Sequence, residues 1–298
     1  MGMGQGGEDR ATVVRLRDGR GLGYADYGDP QGWPLLFFHG TPGSRIMARC
    51  AAPLAAAWGI RLLAPERPGY GLSDPQPGRR LLDWPKDIRE FAAALGLSRF
   101  SLVGVSGGGP YVAACAWCLP DLIEVAGIVS GLAPKDAMAG QLTRWQQVIA
   151  TILPHIRLTR PFLAVMAGLL QRQPERWLTA LLPLVPPEDR RLLQDPAIRQ
   201  LQVDGIIQAW RQGVLAMAQD LAIFSQSWGF RVDEIRVPVY LWHGEADRLV
   251  PVQMGRYLAS HIPGCQATFI PEAGHLWLFA GYEAILHALR DARQHTAR

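Results

Sequence analysis

A serine hydroxyl becomes a nucleophile only when a nearby base takes its proton, and the base works only when another group fixes it. The serine that stands out in this chain is Ser106, in Gly104-Val105-Ser106-Gly107-Gly108. The apolar run Phe100–Val105 climbs to it, and an apolar, alanine-rich stretch from Tyr111 to Leu119 follows. Strand, tight turn and helix around a G-x-S-x-G pentapeptide form a turn that presents the serine on its outside. The neighbours are glycines because a chain reversing over one residue leaves little room for Cβ atoms beside it. Ser106 is expected in a strained backbone conformation, with the free N–H of Gly107 and the positive helix end close to its hydroxyl. A Gly-rich turn that binds phosphate has a similar outline, so the partners decide.

Seven histidines compete for the role of base. His39 and His243 each close an apolar strand in a His-Gly pair, a place suited to orienting backbone. His155, His261, His287 and His295 fall on helices or in the tail. His275 stands in the loop Pro271-Glu272-Ala273-Gly274-His275 after the last strand, at the sheet edge from which Ser106 emerges, and is the expected base. The loop after the strand Val237–Gly244 offers Asp247 as the orienting acid, with Glu245 as fallback. The other usual position, after the strand ending at Ser130, has no carboxylate before Asp136.

Acyl transfer also needs donors for an oxyanion. Gly107 N–H is one. The second is expected from the turn after His39-Gly40, where Pro42 has no N–H and Thr41 is left. On this reading the Thr41 side chain has no part, because the donor is backbone. Tyr70, Tyr111, Trp145 and Trp277 are the expected aromatic walls of a substrate pocket. No metal or organic cofactor is required.

These residues need a sheet to align them. Residues 11 to 27 alternate around Asp18-Gly19-Arg20-Gly21 and read as an antiparallel hairpin. Apolar strands then alternate with helices: Pro34 to Gly40, a helix from Ser44 as cap to Trp58, Ile60 to Pro65, a helix Trp84 to Leu95 ended by Gly96, Phe100 to Val105, and Ile123 to Ser130. That rhythm implies a mostly parallel α/β sheet of about eight strands, covered by helices on both faces. From 134 to 230 it gives way to helical periodicity alone, with helices expected at Met138–Leu153, Pro161–Gln171, Glu175–Leu182, Glu188–Leu193 and Val203–Ser227. Strand–helix alternation then resumes. The expected organisation is a disordered start at 1–10, a core of 11–133 and 231–298, and a helical cap at 134–230 over the ligand end of the sheet.

Composition excludes several classes. Of 298 residues, 49% are apolar and 19% charged, as in a globular chain with a sizeable core. The net charge is +4, and the arginines are scattered rather than striped, so nucleic acid is not an expected partner. Cys115 and Cys118 form a C-x-x-C inside an apolar helix, with no second pair to complete a zinc set. Their expected role is packing. No run is long enough for a membrane span and the start lacks a signal-peptide core, so a cytoplasmic protein is expected, as monomer or homo-oligomer.

The whole, roughly residues 11 to 294, resembles the α/β-hydrolase superfamily. The matching pieces are His39-Gly40-Thr41-Pro42-Gly43, Arg67-Pro68-Gly69-Tyr70-Gly71-Leu72-Ser73, Gly104-Val105-Ser106-Gly107-Gly108, His243-Gly244-Glu245-Ala246-Asp247 and Gly274-His275. The chain order Ser106, Asp247, His275 is the order of that superfamily. The resemblance implies a capped serine hydrolase that cleaves a small-molecule ester. Proline iminopeptidase-like members share His-Gly-x-Pro-Gly, but Thr41 and Gly107 stand where they have glycine and tryptophan. Epoxide hydrolase and haloalkane dehalogenase members share the Arg67–Ser73 loop but use an aspartate where this chain has Ser106. Amide hydrolysis, C–C bond hydrolysis and a non-catalytic ligand-binding relative are the alternatives. An aminopeptidase needs a cap carboxylate for the substrate amine, and Asp136, Glu175, Asp204 and Asp220 are available.

Overall fold

The structure, a computed structural model, describes residues 11–135, 155–182 and 185–296. Eight strands form one sheet: β1 (Ala11–Arg15), β2 (Gly21–Gly28), β3 (Trp33–Phe38), β4 (Ile60–Pro65), β5 (Phe100–Val105), β6 (Ile123–Val129), β7 (Val239–Gly244) and β8 (Gln266–Ile270). Their order is β1-β2-β4-β3-β5-β6-β7-β8. The β1–β2 and β2–β4 pairs are antiparallel and the others parallel.

Strand periodicity explains why the central runs are apolar throughout. Leu36 and Phe38 enter one buried cluster with Leu63, Leu102, Phe91 and Tyr111. Leu35 and Phe37 enter the opposite one with Leu62, Val103, Ile285 and Leu289. A strand covered on both faces needs apolar residues at both parities. Cys115 is fully buried in the first cluster, and all four cysteines are free.

Two of the local signals need correction. Ser44 precedes a 3-10 segment, Arg45–Ala51, which leads into the helix Ala52–Ala57, but its side chain caps neither. Among the described residues its buried hydroxyl has no partner. The helix expected over Val203–Ser227 is two helices, Pro196–Ala209 and Leu215–Phe224. Asp195 caps the first by accepting from Ala197 and Ile198 N–H, and Pro196 opens it. Gly213, at φ +90°, turns the chain between them.

Between β6 and β7 the described residues are helical: Ile156–Arg172, Pro174–Leu181 and Pro187–Leu192 precede the pair just named. The helix expected at Met138–Leu153 lies outside the described residues. Ala167, Ala209, Trp210, Val214 and Ala216 from this insertion form a small third cluster with Tyr70 of the β4 loop. The insertion therefore packs on the loops at the carboxyl ends of the strands.

Candidate active site

Ser106 follows β5 directly and has φ +54°, the strained conformation expected of it. It begins a short 3-10 turn, Ser106–Gly108, that continues as the helix Gly109–Cys118. A Cβ on Gly108 would collide with the Phe38 carbonyl oxygen, so the helix start can sit against β3 only with glycine there. The Ser106 hydroxyl has no hydrogen-bond partner among the described residues and is partly exposed.

Asp247 and His275 meet at the same sheet edge, after β7 and β8. His275 Nδ1 lies 2.7 Å from Asp247 Oδ2. Asp247 Oδ1 accepts from the N–H groups of Leu249, at 2.9 Å, and Val250, at 2.8 Å. Burial opposes ionisation of Asp247, but hydrogen bonds from His243 and His275 and the nearby imidazole charge outweigh it and hold the carboxyl well below its ordinary range. A carboxylate so fixed keeps the proton of His275 on Nδ1 and leaves Nε2 as an acceptor. Glu245, the fallback acid, pairs instead with Arg256 at 3.2 Å near the surface.

His243 is fully buried, its Nε2 2.9 Å from the Val250 carbonyl and 3.5 Å from Asp247 Oδ2. It braces the acid's loop. His39 is also fully buried: Arg67 N–H donates to its Nε2 at 3.3 Å, and its Nδ1–H donates to the Gly40 carbonyl at 2.8 Å. Burial, and then the Arg67 charge, depress its pKa strongly, so it is a neutral brace of the turn. Both histidines orient backbone, as their His-Gly settings suggest.

The turn His39-Gly40-Thr41 lies against Ser106. A Cβ on Gly40 would stand 3.5 Å from Ser106 Cβ, and one on Gly107 would run into Thr41 Oγ1. Neither Thr41 N–H nor Gly107 N–H is hydrogen-bonded among the described residues. Behind the turn is a fully buried ionic cluster that the sequence did not reveal as such. Asp220, on the helix Leu215–Phe224, accepts through Oδ2 from Thr41 Oγ1 (2.9 Å), Arg67 Nη2 (3.0 Å) and Tyr70 OH (2.9 Å). Its Oδ1 accepts from Tyr111 OH at 2.6 Å and from Arg79 Nη2. Burial opposes ionisation of this carboxyl too, but Arg67 and Arg79 dominate and hold it far below its usual range.

Arg67 also donates to the carbonyls of His39 and, at 2.8 Å, Gly40. The Gly40 carbonyl and the Thr41 N–H belong to one planar peptide unit and point in opposite directions. A guanidinium on the carbonyl aims the N–H away from itself and polarises it as a donor. The Thr41 side chain, which the sequence reading set aside, is part of this anchor, since Arg67 Nη2 donates to its Oγ1 at 2.8 Å.

Tyr70 and Tyr111 are fully buried, with hydroxyls on Asp220, and therefore stand behind the turn rather than in the wall of an open pocket. Burial raises the pKa of both phenols, which keeps them as donors. Trp145 lies outside the described residues. Trp277 is partly buried and packs against the second core cluster. Phe224, unremarked in the sequence, is an aromatic at the Ser106 turn: its Cε2 would be 3.2 Å from a Cβ on Gly107.

Asp189 is the other residue missed. It sits in the charged stretch Pro187-Glu188-Asp189-Arg190-Arg191 at the start of the helix expected at Glu188–Leu193, yet it is 3% exposed and accepts from the backbone N–H groups of His275 and Leu276. Asp220 left a faint trace, as a lone carboxylate in the apolar run Leu215–Phe224.

Residues 34–282 match the family model described as alpha/beta hydrolase fold, and the chain belongs to that family. Among curated proteins it is similar to a non-heme chloroperoxidase of Streptomyces lividans, 32% identical over 124 residues. That match spans 41% of this chain and 45% of the relative, less than half the relative's length. Solved structures with the same fold include a hydrolase from Pseudomonas aeruginosa PA01 (TM-score 0.72, 19% identity, 96% of this chain and 99% of that one). A thermophilic esterase from Thermogutta terrifontis has TM-score 0.70 and 22% identity over 96% of this chain and 99% of its own. A bromoperoxidase from Bacillus anthracis has TM-score 0.72 and 22% identity over 94% and 99%. No helix among the described residues is long and apolar enough to cross a membrane.

Proposed function

We propose that the protein is a serine hydrolase that cleaves a carboxylic ester through an acyl-enzyme, with Ser106 as nucleophile, His275 as base and Asp247 as orienting acid. The observation that carries this is the 2.7 Å contact of His275 Nδ1 with a buried, ionised Asp247, which frees Nε2 at the sheet edge where Ser106 stands at φ +54°. His275 Nε2 takes the Ser106 proton as the oxygen attacks the ester carbonyl. Thr41 and Gly107 N–H hold the oxyanion. The imidazolium then protonates the leaving alcohol, and the same nitrogen activates water to release the acid. Phe224 beside Gly107 suits a partly apolar acyl or alcohol group.

The segment 134–230 acts as a cap on the core of 11–133 and 231–298. The packing of Ala167, Trp210 and Ala216 with Tyr70, and the bonds of Asp220 to Thr41 and Arg67, support that division. Ester is favoured over aminoacyl amide because the described cap carboxylates offered for an amine are occupied. Glu175 pairs with Arg199 at 3.0 Å, Asp204 with Arg49 at 3.3 Å, and Asp220 with Arg67 and Arg79. The partial match to a chloroperoxidase motivates a second acceptor for the acyl group, hydrogen peroxide in place of water, which would release a peracid.

A fluorophosphonate probe tests the nucleophile. The wild-type chain is expected to be labelled and Ser106→Ala not. Labelling that persists in the variant overturns the assignment. Short-chain nitrophenyl esters are expected to turn over faster than aminoacyl-naphthylamides, with Ser106→Ala as blank; the reverse ranking overturns the ester reading.

A further inference from the structure

The 3-10 turn His275–Trp277 begins, like any helix, with backbone N–H groups that have no intrahelical partner. The usual remedy is a capping side chain on the residue before. Here that residue is Gly274, which has none. The acceptor comes instead from 86 residues earlier in the chain: Asp189 Oδ2 takes His275 N–H at 3.0 Å and Oδ1 takes Leu276 N–H at 2.7 Å. Gly274 is what lets the carboxylate in, since a Cβ there would stand 2.5 Å from Asp189 Cγ and 2.7 Å from Oδ2.

We infer that Asp189 is a positioning residue: its carboxylate, carried by the inserted helices, fixes the backbone of the base so that His275 keeps its seat on Asp247. The inference rests on the proposed roles of His275 and Asp247 and adds a requirement they do not contain. The base is aligned only while the inserted segment is docked. Two bonds set the direction of the His275 backbone, and the imidazole hangs from that backbone with its Nδ1–H already spent on Asp247. Releasing the backbone gives the ring freedom that Asp247 alone does not remove, and small misplacements of a reacting group are costly. Asp189 touches no reacting atom, and among the described residues no cation pairs with it.

The test compares wild type, Asp189→Asn, which keeps the shape and one acceptor, and Asp189→Ala, with Glu188→Gln on the same helix as control. Two readouts are taken. The first is kcat and KM on a nitrophenyl ester, per site titrated with fluorophosphonate. The second is the low-field proton resonance of His275 Nδ1–H in histidine-labelled protein, which needs no turnover. Asp189→Ala is expected to lose about tenfold to a hundredfold in kcat per titrated site with KM nearly unchanged. Asp189→Asn is expected to fall between it and wild type, and Glu188→Gln to match wild type. The Nδ1–H resonance is expected to broaden or shift in step with kcat. If Asp189→Ala does not fold, Asp189→Asn decides alone. A resonance and a per-site kcat both unchanged in Asp189→Asn overturn the inference, even where stability falls. A wild type that neither labels nor turns over, yet loses the resonance in the variant, counts against the proposed function and not against the positioning.

Discussion

The two sides of the site are held by the same device in opposite electrostatic settings. On the proposed oxyanion side, Asp220 reaches from the inserted helices to the His39–Thr41 turn with two arginines on it. On the side of the proposed base, Asp189 reaches from the same insertion to His275 and Leu276, and among the described residues its partners are backbone N–H groups. The first carboxyl is driven far below its ordinary pKa. The second is raised, because burial outweighs its backbone bonds and the His275 charge, and Asp247 adds repulsion. One anchor is locked in its ionised form, while the other is ionised at a cost.

The contrast can be broken at its strongest point first. Asp220→Asn leaves Arg67 and Arg79 buried without their counter-charge. It is expected to lower unfolding stability by about 3–5 kcal/mol, read from urea titration. A loss below about 1 kcal/mol would mean that the guanidinium groups find other acceptors.

A smaller effect is expected where the anchor meets the donor. Thr41→Val keeps the backbone N–H and the side-chain shape but removes the hydroxyl shared by Arg67 and Asp220. It is expected to cut kcat by about tenfold, below the full loss of an oxyanion donor, and Thr41→Ser is expected to restore most of it. Equal rates in Thr41→Val and wild type would leave the peptide carbonyl contacts of Arg67 as the whole anchor.

The smallest effect is in stability against pH, where the two anchors differ in sign. Asp220 has a depressed folded pKa, so its stabilisation is present above the ordinary 3.8 and is lost as pH falls towards the folded value. Asp189 has a raised folded pKa, so the folded state binds its proton more tightly than the unfolded chain. Stability is then lost as pH rises from 3.8 through the raised value. Urea midpoints of wild type and Asp189→Asn across that window are expected to show wild type losing ground to the variant as pH rises. A constant difference would put Asp189 in an ordinary solvated setting.

The sheet and the residues at its strand ends were legible because their signals are local. β5 announces itself by an unbroken apolar run, and the turn after it by glycines whose absent Cβ atoms make room for β3. The meeting of Asp247 and His275 could be anticipated because each follows a strand that the alternation locates. The partners of Asp189 and Asp220 could not, since they lie 86 residues away in one case and up to 179 in the other. Nothing within Pro187–Leu192 separates a buried carboxylate from a solvated one. Tyr70 and Tyr111 read as pocket walls because aromatic type and proximity do not say which side of the turn a ring occupies.

Because both carboxylates belong to the insertion between β6 and β7, that segment cannot be treated as an interchangeable specificity module. Grafting a relative's insertion onto this sheet would change what covers the strand ends and at the same time remove the acceptors for Arg67, Arg79 and the His275 turn. A working chimaera would need a carboxylate rebuilt at each of the two places, and the arginine-lined one would be the less forgiving of an omission.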